Sequence, residues 1–87
     1  MYRVTIKKKV LNGIHKMPLK IQEKLNLLLK DLRDKGPFRS EWPHYRKLNE
    51  NLYHCHLSRK WVACWKHDKK TIIIEVYYAG SRENAPY

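Results

Sequence analysis

The hydrophobic period of this chain changes at Gly36-Pro37, and that change limits the available folds more than any other feature. Before it, LKIQEKLNLLLKDLRDKG (19–36) puts Ile21, Leu25, Leu28, Leu29 and Leu32 on one face of a helix. Lys20, Glu23, Lys24, Lys30 and Arg33 take the other face. Gly36 is a helix stop, and Pro37 cannot continue the turn. Such a leucine stripe is ordinarily how a helix joins a globular interior, so it reads as core. After Gly36 the spacing falls to two. LYHCHLS (52–58) and WVACWKH (61–67) read as a hairpin across Arg59-Lys60, and TIIIEVYYAG (71–80) as a β-branched central strand.

The remaining segments complete the order. YRVTI (2–6) alternates as a strand does. KKKVLNGIHKMP (7–18) spaces Val10, Leu11, Ile14 and Met17 as a helix interrupted by Gly13, with Pro18 closing it and opening the next. PFRSEWPHYRKLN (37–49) is a loop with two prolines leading into a short strand around 45–48. The expected fold is α+β in a single domain, 1–87. An N-terminal strand and a helical hairpin pack on one face of a mainly antiparallel sheet of about four to five strands. The other face is left for water or ligand.

Charge narrows the partners. Nineteen Lys and Arg against eight Asp and Glu give a net charge of +11. A field of that sign on so small a domain favours polyanions, nucleic acid or an acidic protein segment. No apolar run is long enough to cross a bilayer, and the charges of MYRVTIKKKV are misplaced for a secretory signal, so a cytoplasmic protein without a membrane role is expected. Cys55 and Cys64, the only cysteines, are expected to be free thiols.

The chemistry concentrates in NLYHCHLSRKWVACWKHD (51–68). Alternation groups Tyr53, Cys55 and Leu57 on the apolar face and His54, His56 and Ser58 on the open one. In the last strand, Ile72, Ile74, Val76 and Tyr78 should turn inward, and Glu75 and Tyr77 outward. The parity of 61–67 is open. Three readings of His54 and His56 compete. Core packing is less favoured, because two histidines at alternating positions opposite Leu57 cannot both be buried. Metal binding, with Cys64, His67 or His44 as a third ligand, matches no closed zinc spacing and is opposed by the surplus positive charge. Acid/base chemistry is favoured, because an imidazole with an ordinary pKa of about 6.5 exchanges protons near neutrality and a cationic sheet suits a phosphodiester.

Nearly the whole chain resembles the RelE/ParE superfamily of toxins, and within it the RelE-like mRNA endonucleases. The resemblance rests on the opening strand, the helical hairpin, Tyr45-Arg46-Lys47-Leu48, Tyr53 with Leu57, the aromatic strand after it, and Gly80-Ser81-Arg82-Glu83 running to Tyr87. It implies a type II toxin that cleaves mRNA on the ribosome without cofactor or metal and is neutralised by a cognate antitoxin. It also implies that Arg82 stabilises the scissile phosphate and that Tyr87 is a C-terminal base or stacking group, its spacing from Arg82 differing by one residue. His54 and His56 stand where the best-known members have lysines, and Val62 where they have a mid-hairpin arginine.

The expected reaction is attack of the substrate's 2′-hydroxyl on the adjacent phosphorus. His54 and His56 make the proton transfers and Arg82 clamps the phosphate. Lys47, Arg59 and Lys60 are expected to hold flanking phosphates, and Trp61 or Trp65 to stack a splayed base of mRNA or rRNA. For the tryptophans, core packing is an equal alternative. Lys7, Lys8 and Lys9 read as a general electrostatic contact. Two rival functions share these features: a gyrase-inhibiting, ParE-like toxin without catalysis, and a simple basic RNA-binding module.

Overall fold

The leucine stripe of the long helix forms one wall of the core in the computed structural model, which describes Met1–Tyr87. The elements follow the expected order: β1 (Arg3–Ile6), α1 (Lys8–Ile14), α2 (Leu19–Lys35), β2 (Arg46–Lys47), β3 (Leu52–His56), β4 (Trp61–His67) and β5 (Ile73–Ser81). A 3-10 turn over Arg82–Asn84, not expected from the sequence, carries the chain to its end. Ile21, Leu25, Leu28 and Leu32 are buried at helical spacing, while Leu29 at the margin of the stripe is half-buried. Gly36 closes α2 with φ of 96°, and a β-carbon there would stand 2.8 Å from the Tyr2 ring, so both backbone and space call for glycine. The first helix is shorter than its pattern. Leu11 is 48% exposed, and Met17 is buried from the turn beyond α1.

The sheet runs β1-β5-β4-β3-β2. β2 to β5 form an antiparallel meander, and β1 adds to β5 in parallel, pairing Arg3 with Ile73 through Ile6 with Val76. Tyr53, Cys55, Leu57, Ala63, Trp65, Ile74 and Val76 join the helices in one core, which settles the parity of β4. Trp65 is 0% exposed, so its expected role as a base-stacking surface is corrected to core packing. Its ring stacks on Tyr53 at 6.1 Å, and its indole N–H donates to the Pro37 carbonyl at 3.1 Å. Trp65→Phe leaves that buried carbonyl unpaired and is expected to lower stability by about 1–3 kcal/mol, read from the urea midpoint.

The last strand departs from simple alternation. Trp65 pairs with Val76, but Cys64 pairs with Tyr78, so Tyr77 and Tyr78 together oppose one residue in a β-bulge. Beyond it Ala79, not Tyr78, meets Ala63 on the core side. The expectation that Tyr78 faces inward is therefore corrected: the extra residue reverses parity, and Tyr78 lies on the same side as Cys64. Ile72, also expected inward, precedes the strand and is 58% exposed. The bulge thus gives the open face two tyrosines where alternation predicts one.

Candidate active site

The face away from the helices is built from two cross-strand rows. Strand register aligns Arg46, His54, Cys64 and Tyr78 in the first, and His56, Val62 and Gly80 in the second. The loop before β2 extends the second row. The His56 amide donates to the Pro43 carbonyl at 2.8 Å, and the His44 ring lies 4.5 Å from that of His56. His54 and His56 are 6.0 Å apart, and Tyr87 stacks on His54 at 4.3 Å with an interplanar angle of 14°. Three imidazoles and the terminal tyrosine therefore form one continuous line of rings. His44, His56, Arg59, Arg82 and Lys24 share a cavity of about 490 Å³.

The environment of this line is cationic. Burial lowers the His56 pKa first, followed by the charges of His44 and Arg82. Burial also lowers that of His54, followed by His56, Arg46 and His44. Both rings are thus neutral at neutral pH. Burial raises the Tyr87 pKa above its ordinary value against the opposing pull of Arg82 and Arg46, so the phenol keeps its proton. That environment suits a stacking group better than a base. Cys64 and Tyr77 are both pushed up to about 12 by burial.

His54 is on the expected face but is not open to solvent. It is 3% exposed, and neither ring nitrogen has a hydrogen-bond partner. The expectation that it stands in solvent beside His56 is corrected: the terminal tyrosine covers it. An unpartnered buried imidazole costs about 1–3 kcal/mol. His54→Phe, which keeps the ring against Tyr87 and removes both nitrogens, is expected to raise the melting temperature at pH 7. The gain should grow as pH falls below about 6.5. There, protonating a histidine whose folded pKa is lowered draws the wild type toward the unfolded state.

Other expected residues fall elsewhere. Lys47 pairs with Tyr53 and sets its ammonium 6.0 Å from the centre of that ring, on the helix side, so its place at the site is corrected. Alternation gives the site Arg46 instead. Arg59 lines the histidine cavity. Lys60 and Trp61 line a separate cavity of about 240 Å³, bounded by Arg82 and Glu83. Trp61 also packs against the core and is not on the histidine face. His67, weighed as a metal ligand, sits at the far end of β4 with its Nε2 2.9 Å from the Thr71 carbonyl oxygen. No three His, Cys, Asp or Glu side chains are placed to hold a metal ion. Cys55 and Cys64 are free and lie on opposite faces.

The sequence reading missed Arg46 as a site residue and considered His44 only as a possible metal ligand. The signal for Arg46 was present, because opposing residues of an antiparallel pair share a face. Using it required the β2–β3 register, which a two-residue strand beside a proline loop does not reveal.

No family model and no curated protein matches the sequence. Solved structures do. The archaeal RelE in a RelE–RelB complex from Pyrococcus horikoshii OT3 superposes with a TM-score of 0.76 at 18% identity, covering 97% of this chain and 98% of that one. The chain has the RelE fold. The isolated E. coli RelE toxin gives 0.75 at 15% identity over 99% and 89% of the two chains. The YoeB dimer from Staphylococcus aureus gives 0.72 at 15% over 91% and 94%. The expected architecture, helices on one side of a five-stranded sheet, is therefore that of the RelE fold over essentially its whole length. No helix is long and apolar enough to cross a membrane.

Proposed function

We propose that this protein is the toxin of a type II toxin–antitoxin pair and a metal-independent endoribonuclease that cleaves mRNA on the ribosome in the cytoplasm. The observation that carries the reading is the meeting of neutral His56 with Arg82 and Arg59 around one cavity, with Arg46 beside His54 in the neighbouring row of the same face. A neutral imidazole beside guanidinium groups meets two needs of 2′-hydroxyl attack on a phosphodiester, a base and a charge clamp. His56 takes the 2′ proton, and Arg82 holds two non-bridging oxygens as charge develops on them. Arg46 and Arg59 add to the positive field for the flanking phosphates. Tyr87 is a stacking surface, and its contact with His54 is the floor on which it rests.

The partners follow from the same reading. Solved RelE and YoeB toxins include complexes with the antitoxins RelB and YefM. A chain of this fold carrying +11 is suited to a cognate antitoxin with an acidic segment. The test is induced expression followed by primer extension on abundant messages. Discrete new 5′ ends within translated frames are expected, and none with His56→Ala. Growth arrest with intact mRNA would sink the nuclease reading in favour of a protein-inhibiting toxin. Absence of any growth effect would leave an RNA-binding module.

A further inference from the structure

We propose that His44 is the general acid of the cleavage reaction, donating a proton to the 5′-oxygen that leaves the scissile phosphorus. The inference rests on the endoribonuclease reading above and supplies the group that reading lacks. His56 accounts for one proton transfer only. His54 is sealed beneath Tyr87, and the Tyr87 ring is committed to that stack. Among the groups around the histidine cavity, Arg82 and Arg59 are guanidiniums that do not release protons at working pH. Lysine side chains are in general far weaker acids than an imidazolium, which sets aside the remaining cation of the cavity, that of Lys24. That leaves His44.

Its geometry suits a partner of His56. The two ring centres are 4.5 Å apart at an interplanar angle of 38°, tilted rather than stacked flat, and both residues border the same cavity. His44 is exposed, so it can be reprotonated from solvent between turnovers. It is also the only non-glycine residue with positive φ, at 53°. This left-handed conformation is disfavoured by a β-carbon, and such outliers gather where a side chain must be aimed. The Pro43 carbonyl, accepting from the His56 amide at 2.8 Å, ties the loop to the strand that carries the base.

The step balances without a co-reactant. His56 removes the 2′-hydroxyl proton as the O2′–P bond forms. The P–O5′ bond breaks, and its electron pair takes the proton from His44. The products are a 2′,3′-cyclic phosphate and a free 5′-hydroxyl, with His56 protonated and His44 neutral until water exchanges both.

An acid that protonates the leaving oxygen is dispensable when the leaving atom needs no proton. Ribosomes are programmed with an mRNA carrying a 5′-bridging sulfur at the mapped cleavage position, and single-turnover rates are compared with the oxygen substrate. His44→Ala is expected to slow oxygen-substrate cleavage by about 10²-fold or more and to cleave the sulfur substrate within a few-fold of wild type. His44→Asn, which tolerates the left-handed backbone, should behave alike and excludes a folding effect. His56→Ala should be slow on both. Equal loss on the two substrates would make His44 a positioning residue, and no loss on oxygen would remove it from the reaction; either overturns the inference. If wild type cleaves neither substrate while binding ribosomes, the endoribonuclease reading itself fails and this assignment falls with it.

Discussion

His56→Ala is expected to slow mRNA cleavage by about 10²- to 10⁴-fold, the usual contribution of a positioned general base. Binding of ribosomes should change little, because the charges that attract RNA are spread over nineteen Lys and Arg. The sign of the pH dependence follows from the lowered pKa of His56. A base must be deprotonated to act, so the acid limb of the wild-type profile should lie below about 6.5, the ordinary histidine value. The variant's residual rate should lose that acid limb. Single-turnover cleavage between pH 5 and 8 measures both. A histidine-free variant that kept full activity would remove the proposed mechanism.

Arg82→Ala is expected to reduce cleavage by about 10²- to 10³-fold, the effect of deleting one donor to a developing oxyanion. Folding should not account for the loss. The guanidinium makes no ion pair in the protein, and Arg82 is engaged only through its backbone: its N–H donates to the Lys60 carbonyl at 2.8 Å and its carbonyl accepts from the Ala85 N–H at 3.3 Å. The urea midpoint should therefore match wild type. Arg82→Lys should recover part of the rate, since an ammonium restores charge but not the two-oxygen fork. A second readout separates electrostatics from simple contact. Arg82 is one of the charges that lower the His56 pKa, so in Arg82→Ala the acid limb of the residual activity should move to higher pH. An unmoved limb would mean that the two groups do not share a site.

Comparing residues shows where sequence reading sufficed. The α2 stripe, its stop at Gly36, the inward set Tyr53, Cys55 and Leu57, and the hairpin after them were legible because each signal is local. A period of 3.6 or 2 needs only neighbours along the chain. Tyr78 was misplaced because one inserted residue reverses every side chain beyond it, and nothing in TIIIEVYYAG marks the bulge. The choice between Lys47 and Arg46 is hidden for the same kind of reason. Adjacent residues point to opposite faces, and a two-residue strand offers no pattern from which to choose. Trp65 was ambiguous because an indole serves equally as core and as stacking platform.

The sequence by itself determined the layer order, the side of the sheet that the helices cover, and a cationic character that favours polyanions. These follow from periodicity, stop residues and charge count, which are properties of the chain before it folds. Only the tertiary structure decided that Arg46 and His44 join the histidines and that Tyr87 seals His54 while His56 stays half-open. Those outcomes depend on strand register and on where the chain end comes to rest. Both are settled by contacts between residues six to more than thirty positions apart, such as Lys47 with Tyr53 and His54 with Tyr87.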